Sequence, residues 1–286
     1  MKKALCLSAS NSGRGDKQKI DNLIKDRLSK VFDIFDFIKI NDIDSLLLKF
    51  PSMLGDYDSL IVCGGDGTLN NVINVVAKLD KRPTLGYIPT GTMCDCGSIF
   101  GLSRSIKKSI KVIENNYTGR FDLVNVGDNY FVYMASFGAY SSISYETKRK
   151  KVKQLHYFAY YFASIKEAFK KTRVNYSFKI EEKTYTGVAP FVLLMNGKKV
   201  GGFKINKKSS PKDGVFELYL SKNTIFNGLL SYLPFKITKP IYAKEVEILD
   251  APSIWCLDGE RKEIKGKIIR IMPKHISFYC VKSLSE

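Results

Sequence analysis

Over its first 120 residues the sequence alternates short apolar runs with segments of helical periodicity, and this alternation limits the folds that the chain can adopt. The apolar runs predict buried strands at Ala4–Leu7, Ile34–Ile40, Leu60–Cys63 and Thr84–Ile88. The segments between and after them predict helices at Lys17–Lys30, Ile43–Leu54, Thr68–Leu79 and Ser105–Asn116. Such alternation is typical of a parallel sheet covered on both faces. We therefore expect an α/β domain with a parallel sheet over residues 1–122.

After Arg120 the pattern changes to short strands separated by turn residues, which is typical of an antiparallel sandwich. Strands are predicted at Tyr130–Phe137, Val174–Ile180, Pro190–Asn196, Val215–Ser221, Lys244–Leu249, Lys267–Met272 and His275–Val281. One long helical segment, Lys150–Arg173, interrupts them. We expect a β-rich sandwich domain over residues 123–281, with residues 282–286 packing back on the first domain.

Charge and composition limit the binding partners and the cellular compartment that we expect for this protein. The 46 Lys and Arg residues exceed the 28 Asp and Glu residues by 18, so the chain should attract nucleic acid, nucleotides or an anionic membrane surface. No apolar stretch approaches the ~18 residues that a membrane-spanning helix needs. The six cysteines form no CxxC pair, which argues against a zinc site and suits a reducing compartment. We expect a cytoplasmic protein.

The sharpest motif runs from Cys63 to Val76 and reads CGGDGTLNNVINVV. An apolar strand enters three glycines within four positions, and an amphipathic helix follows at once. Exposed backbone N–H groups and a helix N-terminus together form an anion site suited to a di- or triphosphate. Asp66 among those phosphates indicates a bridging Mg²⁺, although a tight turn capped by Asp66 would give the same pattern. The spacing is neither that of a Rossmann fingerprint nor that of a Walker loop.

A second motif follows the next predicted strand and reads GYIPTGTMCDCGSIFGL, from Gly86 to Leu102. Pro89 ends the strand, and Gly91 with Thr92 opens a loop. In a parallel sheet this loop and the first glycine loop lie at the same edge, where ligands bind. The sequence therefore predicts one ligand site built from both loops.

In order and spacing, these motifs resemble the diacylglycerol and sphingosine kinase-like lipid kinases, particularly the bacterial diacylglycerol kinase branch. GGDGT followed by a strand and PTGTxxD is the central likeness. The other matching segments are Ser12–Gly15, Phe121–Leu123, Ala135–Gly138, Ser209–Gly214 and Leu257–Glu260. The resemblance extends over most of the chain. It implies an ATP- and Mg²⁺-dependent kinase that transfers the γ-phosphate to a membrane-lipid hydroxyl, with diacylglycerol as the expected acceptor.

The resemblance also implies roles for particular residues. It gives catalytic roles to Glu260, as general base, and to Asp66. It implies a structural Mg²⁺ held by Asp213 with backbone groups near Ser210 and Val215. The nucleotide-binding residues that it implies are Ser12, Gly13, Gly64, Gly65, Asp66, Gly67, Thr68, Asn71, Gly91, Thr92 and Asp95. Without the resemblance, Glu260 reads as a solvated residue in a turn and Asp213 as part of a plain β-turn.

Three departures from the family pattern fall in the predicted nucleotide-binding half. Ala9 and Ser10 stand where the early loop has Asn-Pro, Asn71 replaces an acid, and Cys94 replaces an asparagine. A thiol forms much weaker hydrogen bonds than an amide. These departures bear on nucleotide affinity and turnover more than on the fold.

The predicted helix Lys150–Arg173 suggests how a lipid substrate could be reached. The segment Lys148–Lys153 holds five cations in six positions, and an apolar face rich in Phe and Tyr follows it. Cations suit anionic headgroups and aromatic rings suit the membrane boundary, so we expect peripheral association with the inner face of the membrane. An ordinary amphipathic helix packed on the sandwich remains the alternative.

Other functions stay open. An NAD kinase-like enzyme shares GGDGT, and a degenerate protein that binds lipid or nucleotide without turnover is suggested by the three departures. A nucleic-acid binder would rest on charge and aromatic content alone, so we expect no specific nucleic-acid partner. The expected partners are ATP and a lipid at an anionic membrane surface, and a homodimer is left open.

Overall fold

The chain divides into two compact units in a computed structural model. Unit 1 comprises Met1–Phe121 and Lys274–Glu286, and unit 2 comprises Asp122–Pro273. The structure describes residues 1–9, 15–41, 50, 52–91, 94–138, 173–200, 203–220 and 239–286. Most of the predicted helix at Ile43–Leu54 and all but Arg173 of the predicted helix at Lys150–Arg173 lie outside these residues.

The described helices and strands follow each other in an order that matches the change of pattern in the sequence. The helices are α1 (Lys17–Leu28), α2 (Asp66–Val76) and α3 (Ile106–Glu114). Short 3-10 turns cover Leu54–Asp56, Cys96–Phe100 and Lys282–Leu284. The strands are β1 (Lys3–Ala9), β2 (Ile34–Ile40), β3 (Ser59–Gly64), β4 (Thr84–Pro89), β5 (Thr118–Val126), β6 (Asn129–Phe131), β7 (Met134–Gly138), β8 (Val174–Ile180), β9 (Lys183–Ala189), β10 (Phe191–Met195), β11 (Lys199–Val200), β12 (Phe203–Lys204), β13 (Phe216–Leu220), β14 (Ile241–Ala243), β15 (Glu245–Asp250), β16 (Ile254–Leu257), β17 (Glu260–Glu263) and β18 (Ile268–Tyr279).

Unit 1 is built on a parallel sheet in the order β2-β1-β3-β4-β18. Helix α2 buries Leu69, Val72, Ile73 and Val76, which is the apolar face that its periodicity predicts. Helix α1 begins after the N-cap Asp16, whose side chain accepts a hydrogen bond from the Lys19 N–H. The parallel strands all end at one edge, and the glycine motif follows β3 at that edge.

Unit 2 contains two antiparallel sheets. One runs β14-β13-β10-β7-β16-β17, and the other includes β18, β15, β8 and β9. Side chains from both sheets share a single core, which includes Phe137, Val192 and Trp255 from the first and Phe178 and Val246 from the second. This arrangement is a sandwich. The predicted architecture, an α/β domain with a parallel sheet and a β-rich sandwich, is confirmed.

Several predicted boundaries were wrong. The predicted strand Tyr130–Phe137 is interrupted, because β6 ends at Phe131 and β7 begins at Met134. The predicted strands Lys267–Met272 and His275–Val281 are one strand, β18, that continues through Pro273. Lys274 adopts a φ of +49° at that point, so the strand bends without ending. The strands β5, β9, β11, β12, β14, β16 and β17 had not been predicted.

Strand β18 begins in unit 2 and ends in unit 1. Within unit 1, Phe278 pairs with Leu85 of β4, and the Phe278 ring stacks on Phe100 with a centroid separation of 3.7 Å. Unit 1 thus includes a longer C-terminal segment, Lys274–Glu286, than residues 282–286 alone. None of the helices in the described ranges is both long and apolar enough to cross a membrane.

Candidate active site

The two glycine loops of unit 1 meet through their backbones. The Thr90 and Gly91 N–H groups both donate to the Gly64 carbonyl, at 2.9 and 3.2 Å. A Cβ built on Gly91 would lie 2.6 Å from the Gly65 Cα, which is closer than any real side chain allows. The predicted juxtaposition of the two loops at one sheet edge is therefore present.

Close packing, and not an unusual backbone conformation, requires glycine at position 64. Its φ is not positive, so the backbone there does not need glycine for a sharp turn. A Cβ on Gly64 would lie 2.7 Å from the Thr68 Cβ. The first glycine of the motif thus leaves room for the Thr68 side chain, and Gly65 is the extended N-cap of α2 with a φ of −90°.

Asp66 joins the second loop directly. One carboxylate oxygen accepts the Asp95 N–H at 2.9 Å, and the other accepts the Cys96 N–H at 3.2 Å. The Tyr87 hydroxyl lies 3.4 Å from Asp66, and burial followed by the nearby Asp66 charge raises the Tyr87 pKa. Asp66 therefore has a structural role that the motif alone did not reveal, because its carboxylate fixes the turn that begins at Asp95.

The N-terminus of α2 offers anion-binding capacity beside this junction. Residues Gly65 to Thr68 are half-buried, and Gly65 carries no side chain that would cover the first turn of the helix. Asn71 is half-buried one turn further along, and Asp95 is 8% exposed. The structure thus brings Gly64, Gly65, Asp66, Gly67, Thr68, Gly91 and Asp95 to one place in unit 1. Ser12, Gly13 and Thr92 lie outside the described residues.

Cys94 adopts a left-handed conformation, with a φ of +56°. Asparagine tolerates this conformation far better than most residues, which gives a physical reason for the family's preference at this position. The Cys94 side chain is buried, and its sulfur would lie 3.3 Å from a Cβ on Gly91. The departure at Cys94 therefore falls at the junction between the two loops.

In unit 2, the DGE motif forms a tight hairpin between β16 and β17. Asp258 and Gly259 have φ values of +49° and +92°, which is typical of a type I′ turn. The buried Asp258 carboxylate accepts the N–H groups of Val132, Tyr133 and Met134 at 2.8, 3.0 and 3.2 Å. Glu260 follows as the half-buried first residue of β17, paired with Leu257.

A second group in unit 2 collects carboxylates around the turn Ser210–Val215. Asp213 accepts the Ser210 and Val215 N–H groups at 3.2 and 3.3 Å, and the buried Asp122 accepts the Gly214 N–H at 2.8 Å. Burial, together with the nearby Asp122 charge, raises the Asp213 pKa. Burial, together with Asp213, raises the pKa of the neighbouring Glu217 to about 7. The predicted residues Ser210, Asp213 and Val215 therefore lie together in a turn beside the carboxyl groups of Asp122 and Glu217.

The chain is similar in sequence to bacterial diacylglycerol kinases. Residues 3–126 match the family model of the diacylglycerol kinase catalytic domain. A diacylglycerol kinase of Staphylococcus carnosus is 33% identical over 178 residues, which is 62% of this chain and 58% of that protein. A diacylglycerol kinase of Bacillus subtilis is 33% identical over 171 residues, 59% of this chain and 56% of that protein. The chain thus matches a little over half the length of these relatives.

A crystal structure of a diacylglycerol kinase from Bacillus anthracis has the same fold. It superposes with a TM-score of 0.83 at 20% identity, covering 99% of this chain and 98% of that one. The resemblance to the diacylglycerol kinase-like lipid kinases expected from the motifs is confirmed by these matches.

Sequence reasoning missed several polar residues that the structure shows to be buried. Asp122 and Asp258 had been named only as members of motifs, while Glu217 and Asp21 had not been singled out. The sequence does indicate that Asp21 is buried, because Asp21 falls three and seven residues before Ile24 and Leu28 on the buried face of α1. No local pattern marks Asp258 as an anchor, since its partners lie more than 120 residues earlier in the chain.

Proposed function

We propose that this protein is an ATP- and Mg²⁺-dependent lipid kinase that transfers the γ-phosphate to the hydroxyl of diacylglycerol. The observation that carries the proposal is the junction of Gly65 and Gly91 at the N-terminus of α2. Two glycines, which have no side chains, meet there at a helix N-terminus that can bind an anion. The match of residues 3–126 to a kinase catalytic domain supports the same chemistry.

In this proposal the phosphates of the donor lie at the junction of the two loops. Backbone N–H groups of Gly65 to Thr68 face them, and Asn71 and Asp95 complete the site. Ser12, Gly13 and Thr92 are assigned to the same site by their motifs. Asp66 holds the second loop in place by its hydrogen bonds to Asp95 and Cys96. Phosphoryl transfer depends mainly on such positioning and on stabilisation of charge.

The residues around Asp213 fit a magnesium ion. Asp122, Asp213 and Glu217 place like charges close together, and the raised pKa values of Asp213 and Glu217 reflect that crowding and their burial. Within the described ranges no three His, Cys, Asp or Glu side chains converge on one point, but Mg²⁺ commonly takes one or two carboxylates and completes its shell with water. Bound there, Mg²⁺ would neutralise part of the negative charge of these carboxylates. Asp213 and the backbone groups of Ser210 and Val215 would hold it.

Glu260 is proposed as the general base that removes the proton from the acceptor hydroxyl. The hairpin supports this role, because the type I′ turn and the three hydrogen bonds to Asp258 fix the start of β17. A base must be held in position to act on a single hydroxyl.

The acceptor is proposed to be taken from an anionic membrane at the cytoplasmic face. The sequence Lys148–Lys153 supports this by its five cations in six positions. This segment lies outside the described residues.

The proposed function is tested by supplying Mg²⁺ and γ-labelled ATP with phosphatidylglycerol vesicles that contain diacylglycerol. Phosphatidic acid should form, and Glu260→Gln should lower kcat by about 100- to 10,000-fold with the melting temperature preserved. Glu263→Gln, at the exposed end of the same strand, is the matched control and should keep the parent's turnover. Near-normal turnover in Glu260→Gln would remove Glu260 from the mechanism.

Two other outcomes would overturn the proposed function itself. Phosphorylation of NAD in place of lipid would assign the chain to the alternative enzyme class. Tight Mg²⁺–ATP binding with no labelled product from diacylglycerol or from a total lipid extract would indicate a binding protein without turnover.

A further inference from the structure

Helix α1 buries a carboxylate, Asp21, that the proposed chemistry does not use. Its side chain is fully buried, and one oxygen, Oδ1, accepts the Ser8 hydroxyl at 2.8 Å. Lys17 Nζ lies 3.3 Å from Oδ1, and Lys39 Nζ lies 3.7 Å from Oδ2. We call Ser8, Lys17, Asp21 and Lys39 the Asp21 cluster.

A buried carboxylate is an energetically unfavourable choice for position 21 of helix α1. Transfer of a carboxylate out of water is costly unless hydrogen bonds and charges compensate it fully. Here Oδ2 of Asp21 has no hydrogen-bond donor among the described residues, since Lys39 stands only at ion-pair distance. The positions one and two turns further along the same face are Ile24 and Leu28. An apolar residue would therefore suit the core, and the presence of Asp21 calls for another explanation.

The strand register places the Asp21 cluster next to the first glycine loop. Lys39 pairs with Ser8 across β2 and β1, and Ser8 pairs with Cys63 across β1 and β3. Each of the three residues stands one position before the end of its strand. Neighbouring strands lie about 4.8 Å apart, so the Lys39 backbone is only about 10 Å from that of Cys63, well within the length of a nucleotide. Gly64 and Gly65 follow Cys63 directly.

The charge of the Asp21 cluster favours an anionic ligand. Two ammonium groups face one carboxylate, which leaves a net charge of +1. The carboxylate is covered, whereas the Lys17 and Lys39 side chains are 25% and 48% exposed. A ligand approaching this edge therefore meets the cations first. The N-cap Asp16 offsets the dipole of helix α1, so the positive charge at this edge comes from the two lysines.

We propose that Lys17 and Lys39 contact the phosphates of the donor nucleotide, and that Asp21 is a positioning residue that holds both ammonium groups at the sheet edge. Lysine binds phosphate as a point charge on a flexible stem, and a buried carboxylate restricts where that charge stands. This inference rests on the proposed function, because it assigns three further residues to the same donor site.

The first experiment compares Mg²⁺–ATP binding by calorimetry in the double variants Lys17→Gln/Lys39→Gln and Lys19→Gln/Lys30→Gln. Both remove two positive charges, but Lys19 and Lys30 are 86% and 70% exposed and pair with surface carboxylates. The Lys17/Lys39 variant should bind Mg²⁺–ATP at least tenfold more weakly, with a shallower dependence on salt. Adenosine, which has no phosphate, should bind equally to all three proteins. Equal Mg²⁺–ATP affinity in the two double variants would overturn the proposal.

Asp21→Asn separates positioning from simple electrostatics. The substitution raises the net charge of the cluster, so an electrostatic role alone predicts tighter Mg²⁺–ATP binding, whereas a positioning role predicts weaker binding. We expect a severalfold higher KM for ATP with a smaller change in kcat. In the double variant Asp21→Asn/Lys39→Gln, the loss should be less than the sum of the two single losses, because Asp21 acts through Lys39. Additive losses, or tighter binding in Asp21→Asn, would contradict the positioning role.

A last comparison distinguishes the source of the phosphate. If Lys17→Gln/Lys39→Gln binds phosphatidylglycerol vesicles less well but keeps its affinity for Mg²⁺–ATP, the group recognised is a lipid headgroup and the proposal is wrong. Lys39→Gln alone changes a half-exposed side chain and keeps the test valid if Asp21→Asn does not fold. Failure of the parent protein to phosphorylate lipid would refute the proposed function, while these binding comparisons would still decide the role of the cluster.

Discussion

At the scale of single residues, the junction of the two glycine loops depends on close backbone approach more than on unusual dihedral angles. Gly64, Gly65 and Gly91 all have ordinary φ values, yet Gly64 and Gly91 leave no room for a Cβ. The sequence could indicate that these glycines matter, because three fall within four positions after a strand. It could not indicate which atom each one makes room for, since Thr68 and Gly65 are brought there by the fold.

Gly91→Ala is expected to destabilise the protein by about 1 to 3 kcal/mol, because its Cβ would overlap the Gly65 backbone. Mg²⁺–ATP binding should be lost with it, since the two loops could no longer meet. Gly55→Ala is the matched control, because nothing lies within 4 Å of a Cβ at that position. Urea unfolding and calorimetry on both variants check this. Parent-like stability in Gly91→Ala would show that the loops do not approach as described.

Asp66→Asn is expected to lower stability by about 1 to 3 kcal/mol, because an amide presents one acceptor oxygen to the two N–H groups of Asp95 and Cys96. Thermal melting without ligand measures this structural part. The same melt with Mg²⁺–ATP then reports any additional loss of ligand-induced stabilisation. An unchanged melting temperature without ligand would contradict the role of Asp66 as a link between the loops.

At the scale of elements, the sequence predicted strands well where burial is local and failed where a distant residue intervenes. The segment 130–137 contains no glycine or proline, so nothing local suggests a break. The break between β6 and β7 instead follows from Asp258, which takes the N–H groups of Val132, Tyr133 and Met134. At Pro273 the error was the opposite one: two separate strands were predicted there, whereas β18 continues through the proline.

Helices α1 and α3 are joined by Arg27 and Glu114, whose side chains form two hydrogen bonds. The hydrogen bond to Arg27 lowers the Glu114 pKa from its ordinary value of 4.5. A lowered folded-state pKa gives stability that is present above that ordinary value and is lost as the pH falls through the folded value. Glu114→Gln should therefore cost about 1 kcal/mol at pH 7 and less at pH 3, because the stabilisation declines as the pH falls below the ordinary value.

Urea unfolding at the two pH values checks the Glu114 prediction. Asp26→Asn is its control, because Asp26 pairs with Lys30 on the exposed surface of the same unit. That variant should stay close to the parent at both pH values. A difference between parent and Glu114→Gln that persists undiminished in acid would show that the stabilisation does not come from the charge of Glu114.

At the scale of the whole molecule, the net charge of +18 favours contact with anionic surfaces. Each cation near an anionic leaflet contributes about 1 kcal/mol, so the five of Lys148–Lys153 give at most about 5 before screening by salt. Sedimentation with phosphatidylglycerol vesicles should be reversible and should weaken as salt rises. Changing Lys148, Arg149, Lys150, Lys151 and Lys153 to Gln should reduce it without altering Mg²⁺–ATP affinity.

The control for the vesicle experiment removes five exposed cations elsewhere. These are Lys179, Lys183, Lys244, Lys265 and Lys267. If both variants lose vesicle binding to the same extent, total charge and not the segment Lys148–Lys153 determines membrane contact.

The path of β18 sets an order for the making of this protein. The kinase-like segment 3–126 leaves the ribosome long before Phe278 and Tyr279, yet Phe278 packs on Phe100 and the Tyr279 hydroxyl bonds to Ser59 inside unit 1. Until synthesis reaches Phe278, β4 presents an unpaired edge, which invites association with other chains. The glycine loops are thus made well before the strand that completes their sheet, and unit 1 gains its full sheet only after β18 has been synthesised.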